Sequence, residues 1–158
     1  MKHLIFRTLL LLTLLFTFSG CASMIYTSNY DSYITEQVKA YTYPSEDLPI
    51  LWRNAMALIS RQGFHPREFD RYRAETEWSN QGSYDRKYYI VSYTTRSNGC
   101  HVEFTYTDET HAQPGVTPAR TDARDYAMEF ELMRIMNAND WSKIKADAEA
   151  YARAKASK

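Results

Sequence analysis

From Leu48 to Ile59 the apolar positions fall at Leu48, Leu51, Trp52, Ala55, Leu58 and Ile59, the spacing that lines one side of a helix. Pro44-Ser45-Glu46-Asp47 precedes this run. It offers Ser45 or Asp47 as the N-cap, and Pro49 fits the first turn, where no backbone N–H is needed. Gly63 supplies the left-handed residue that stops the helix, and Phe64 is placed to pack back on Ile59. The period then changes from 3.6 to 2. Tyr72, Ala74, Thr76 and Trp78 alternate with Arg71, Arg73, Glu75 and Glu77, which predicts a strand with one face buried and one in water. Asn80-Gln81-Gly82-Ser83 reads as a turn. Residues 87–96 and 100–107 read as two more strands, joined at Asn98-Gly99, a pair that favours a two-residue type I′ turn. That turn sets Ser97 opposite Cys100 and pairs Thr95 with Val102, Tyr93 with Phe104 and Val91 with Tyr106 on one face. Tyr88 and Ile90 then fall on the other, solvent-facing side.

Beyond the strands, Glu109 to Thr121 contains Pro114, Gly115 and Pro118 and reads as a loop. A helical region follows from Thr121-Asp122, with Asp122 as cap and Tyr126, Phe130 and Met133 buried. Asn137-Ala138-Asn139-Asp140 is poor helix sequence, and the pattern leaves open whether one helix kinks there or a second, capped by Asp140, begins. The second half carries Trp141, Ile144, Ala148 and Tyr151. Residues 22–44 are polar with scattered tyrosines and no sustained period, and read as a tether. A three-stranded sheet does not bury its apolar face alone, so both helices are expected on the side carrying Tyr72, Trp78, Val91, Tyr93, Val102 and Phe104. The expected fold over 45–155 is a single α+β domain. It is a two-layer sandwich in which a three-stranded antiparallel sheet is covered on one face by an N-terminal and a C-terminal helix, in the order α-β-β-β-α.

At the N-terminus, Lys2 and Arg7 precede an apolar run from Leu9 to Phe18 broken only by threonines, with Ser19 and Gly20 just before Cys21. That is the order of a secretory signal, and the run is shorter than the roughly 20 residues of a membrane span. Phe18-Ser19-Gly20-Cys21 resembles a bacterial lipobox, with Phe18 where leucine is usual. The resemblance implies removal of residues 1–20 and acylation of Cys21, so that 21–44 comprise the lipidated cysteine and tether. Two or three acyl chains make a stable anchor where one is marginal. Ala22-Ser23, in place of an aspartate after the cysteine, implies the periplasmic face of the outer membrane rather than the inner membrane. In element order alone, the domain is also similar to the small modules of lipoproteins that accompany the outer-membrane β-barrel assembly machinery.

Loss of residues 1–20 leaves 17 Lys+Arg against 19 Asp+Glu, a formal charge of −2, which is no electrostatic footprint for nucleic acid. With Cys21 acylated, Cys100 has no partner for an internal disulfide and is expected to be buried. Cys100 and His101 are neighbours on a strand and point to opposite faces, which excludes a thiol–imidazole pair. His101, Glu103 and His111 lack metal-site spacing. Glu75 and Glu77 lie among arginines that favour ionised carboxylates. No cofactor or catalytic site is expected. The sequence reads as a non-catalytic envelope lipoprotein, a periplasm-facing module that binds another envelope protein. Tyr88 and Ile90 are the candidate interaction surface. The alternative is a lipoprotein that binds peptidoglycan or another glycan, for which several exposed rings beside carboxylates or amides would be the mark.

Overall fold

The computed structural model describes residues 23–111 and 117–157. The lipobox-like segment with Cys21, and Pro114-Gly115 of the expected loop, lie outside the described residues. By internal contacts the described residues divide into two units, one within Val38–Trp141 and a second made of residues 23–37 with 142–157.

The larger unit is α+β. Its strands are β1 (Tyr43–Pro44), β2 (Pro66–Asp70), β3 (Arg73–Thr76), β4 (Ser79–Asn80), β5 (Tyr84–Thr94), β6 (Gly99–Thr110) and β7 (Arg120–Arg124). They form one seven-stranded antiparallel sheet in the order β1-β6-β5-β3-β2, with β4 also on β5 and β7 also on β6. The expected three strands are therefore its adjacent β3, β5 and β6, of which β5 and β6 are long, and four further short strands extend the sheet. Helices in the described residues are α1 (23–40), α2 (Leu48–Arg61), α3 (Tyr126–Met136) and α4 (Ala138–Ala156), with a 3-10 turn at Ser45–Asp47. None is long and apolar enough to cross a membrane.

Helix α2 forms as its apolar spacing predicts, with Leu51, Trp52, Ala55, Leu58 and Ile59 buried. Gly63 takes φ 85°, Phe64 N–H donates to Ile59 O at 3.3 Å, and the Phe64 ring meets Tyr88 edge-on at 4.8 Å. Helix α3 starts at Asp125, not Asp122, because the Asp125 carboxylate accepts from Met128 N–H at 2.9 Å and from the Tyr88 hydroxyl at 2.6 Å. Asp122 lies in β7. The Asn137 region resolves into two helices, and Asn137 caps the second by accepting from Asp140 N–H at 3.2 Å.

The core lies between α2, α3 and one sheet face, and contains Ala74, Tyr88, Ile90, Cys100, Val102 and Phe104. This overturns the expected register. Ile90 pairs with Phe104 and Tyr88 with Tyr106, where the two-residue turn would have placed Tyr93 against Phe104. The cause is the turn. Asn98, at φ 59°, closes a loop over residues 96–98, and Thr95 N–H donates to Gly99 O at 2.8 Å. The pairing thus shifts by an odd number of residues, which exchanges the two faces of β5. Tyr93 and Trp78, expected in the core, are 40% and 45% exposed.

In the second unit, residues 23–37 of α1 and the chain from Ser142 pack through Tyr33 and Tyr151, whose rings lie 5.4 Å apart. Ile34, Ala148 and Ala152 are buried. The segment expected to be a tether is therefore helical from residue 23.

Candidate functional site

With one sheet face filled by α2 and α3, chemistry accessible to a partner falls on the other. On β5 that face carries Lys87, Tyr89, Val91 and Tyr93, paired with Thr107, Thr105, Glu103 and His101 of β6. Glu75 of β3 pairs with Tyr89, and Arg67 of β2 with Glu75. Phe69, at the bulge in β2, leans on Tyr89 with ring centroids 5.8 Å apart. Phe69 is 52% exposed and Tyr89 40%. Tyr93 packs on the His101 ring at 5.8 Å.

Charges on this face are neutralised within it. Lys87 Nζ lies 2.7 Å and Arg67 Nη2 3.6 Å from the Glu75 carboxylate, and the lysine beside it holds the Glu75 carboxyl below its usual range. At the other end of β5 the Tyr93 hydroxyl donates to Glu103 at 2.7 Å, and Arg124 of β7 reaches the same carboxylate at 2.8 Å. Arg124 continues to Glu129 of α3 at 2.7 and 2.9 Å. Desolvation, then the Glu103 carboxylate, pushes the Tyr93 phenol up to about 12. Burial, with Arg124 adding to it, holds His101 below its ordinary value.

Tyr88 and Ile90, the surface expected from the sequence, are 3% and 0% exposed and belong to the core. That expectation is corrected: the register shift turns them inward and brings Tyr89, Val91 and Tyr93 out. The pattern that would have found the exposed face is present, since Phe69, Tyr89 and Tyr93 are large rings on strands. Nothing in a single strand says which alternate set is covered.

Cys100 is buried, its thiol donating to Pro44 O at 3.1 Å, and burial pushes its pKa up. His101 points to the opposite face. His111 is held by Asp85 at 3.2 Å and Asn80 at 3.3 Å, beside the start of β5, whereas His101 pairs with Tyr93 eight residues on, about 26 Å away along a strand. The two imidazoles therefore do not converge. Among the described residues no three His, Cys, Asp or Glu side chains stand together as metal ligands. Compared with protein families, curated proteins and solved structures, the chain matches no family model, no curated protein and no solved structure.

Proposed function

We propose that this chain is a non-catalytic envelope lipoprotein, held through Cys21 on the periplasmic face of the outer membrane, whose open sheet face docks another envelope protein. The observation that carries the reading is the row of Phe69, Tyr89 and Tyr93, each at least 40% exposed, on a sheet whose opposite face is already filled by two helices. Exposed aromatic groups gathered on one face mark interaction surfaces more often than scattered ones do, and tyrosine combines apolar area with a hydrogen-bonding tip. The anchor rests on the order Lys2, Arg7, apolar run, Gly20-Cys21 in the sequence.

The test has two arms. Cys21→Ser should move the protein from the membrane pellet to the soluble fraction, and retention after a salt wash would end the anchor reading. A photo-crosslinking residue at Tyr93 in intact envelopes should give a discrete protein adduct, lost when Tyr89 is also changed to serine. Adducts arising only from positions on α2 or α3 would place the docking surface elsewhere.

A further inference from the structure

At the end of the open face away from the β5–β6 turn, Trp78 stands beside a shallow hollow of about 250 Å³ lined by Arg67, Glu75, Thr76, Glu77, Trp78 and Lys87. We propose that this hollow is a subsite for one pyranose unit of a neutral, β-linked glycan, with the neighbouring rings taking the next units. Three features select that ligand. First, the indole is 45% exposed, a flat apolar surface of the kind on which the C–H face of a sugar ring stacks.

Second, the lining holds two cations and two carboxylates, and the bridges from Lys87 and Arg67 to Glu75 consume most of their attraction. The hollow therefore has no surplus charge to draw a phosphate, a nucleic acid or a charged lipid surface. It keeps fixed donors and acceptors suited to hydroxyl groups. Because Lys87 and Arg67 already orient the Glu75 carboxylate, little side-chain freedom is lost on binding. Third, Tyr89 is the direct cross-strand partner of Glu75, and Phe69 lies 5.8 Å beyond it. The apolar surface thus continues past the hollow, as a chain of equatorially linked sugars requires.

This inference goes beyond the docking of a protein; Tyr89 is shared by both surfaces, so the two are told apart by Trp78 and Glu75, which the crosslinking arm does not touch, and by Tyr93, which the titration does not. The test is titration of the purified, lipidated full chain in detergent with chitotetraose, followed by calorimetry and by tryptophan fluorescence, to which exposed Trp78 should respond. Saturable binding is expected, weakened roughly tenfold or more, 1.4 kcal/mol per decade, in Trp78→Ala and also weakened in Glu75→Gln, with both variants keeping the wild-type melting temperature. Tyr89→Ser provides a second surface variant should Trp78→Ala fold poorly, and it too should bind more weakly. No binding by the wild type, or equal affinity in the variants, overturns the proposal. A silent titration together with a protein adduct from a crosslinker at position 78 would assign the hollow to the protein-docking surface instead.

Discussion

Ile90→Ala separates the observed register from the one that an Asn-Gly type I′ turn would impose. Ile90 is fully buried opposite Phe104. Its truncation removes three carbons at about 0.8 kcal/mol each, or about 2.4 kcal/mol of transfer free energy. The void left between the sheet and α2 adds a cavity cost, and buried isoleucine-to-alanine changes total about 2–5 kcal/mol. We expect about 3 kcal/mol. The matched change is Tyr93→Ala, on a side chain 40% exposed. It loses one hydrogen bond to Glu103 and some ring contact, for about 1 kcal/mol. Urea unfolding of the two variants and wild type, followed by fluorescence and circular dichroism, gives the difference directly. With a urea slope of about 2 kcal/mol/M, the Ile90 variant should unfold about 1.5 M earlier and the Tyr93 variant about 0.5 M earlier. The reasoning is refuted if Tyr93→Ala costs more than Ile90→Ala.

Two further substitutions test the turn and the buried carboxylate. Asn98→Gly should change stability by no more than about 0.5 kcal/mol, since glycine accepts its positive φ. Gly99→Ala should cost about 1–3 kcal/mol, because a Cβ there would sit 3.0 Å from Thr42 Cβ and 3.3 Å from Tyr43 O; equal urea midpoints for the two would contradict this assignment. For Glu129, burial pushes the carboxyl above its ordinary range, so the folded chain binds that proton more tightly than the unfolded one and loses stability as pH rises from the unfolded to the folded pKa. The stability of the wild type relative to Glu129→Gln should therefore fall as pH rises above the ordinary carboxylate range of about 4 in urea titrations, and a difference that grows with pH would show that the Arg124 pair outweighs burial.

How far the sequence reveals the fold depends on which side chains do the packing. Helix α2 is legible because its buried stripe is aliphatic apart from one tryptophan. Helix α1 is not, because its inward side runs Tyr26, Tyr30, Ile34, Val38, at four-residue spacing, and half of that stripe is tyrosine. The stacked Tyr26 and Tyr30 rings read as scattered polar residues when only aliphatic periodicity is counted. On β5 both alternate sets are apolar or aromatic, Tyr88 and Ile90 on one side and Tyr89, Val91 and Tyr93 on the other. The alternation cannot choose between them, and the turn decides. Asn98-Gly99 marks the turn correctly, but Asn98 alone takes the positive φ, while Gly99 is needed small for the approach of β1. Strands β4 and β7 are short and polar. Backbone bonds to β5 and β6 make them strands, and no side-chain pattern announces such pairing.

The open face is illegible for a related reason: its contacts join residues from separate strands. Arg67, Glu75 and Lys87 come from β2, β3 and β5, and become one ion-pair group only after those strands are paired. Arg124 shows the same dependence more sharply. Strand β1 leaves β6 at Cys100, and β7 joins it only from Thr105. The intervening Phe104 N–H is buried and needs an acceptor, because an unsatisfied buried amide costs about 1–3 kcal/mol. Glu129 of α3 supplies that acceptor at 3.3 Å, and the Phe104 carbonyl is met by Asp125 N–H at 2.7 Å. A carboxylate only 4% exposed then requires a cation, which Arg124 provides from the adjoining strand. Arg124 also reaches Glu103, and through it the Tyr93 hydroxyl. The gap in the sheet edge thus calls for Glu129, Glu129 calls for Arg124, and Arg124 helps to fix the exposed ring of Tyr93. A helix-face reading of α3, which sees Glu129 beside Met128 and Leu132, contains no hint of this sequence of requirements.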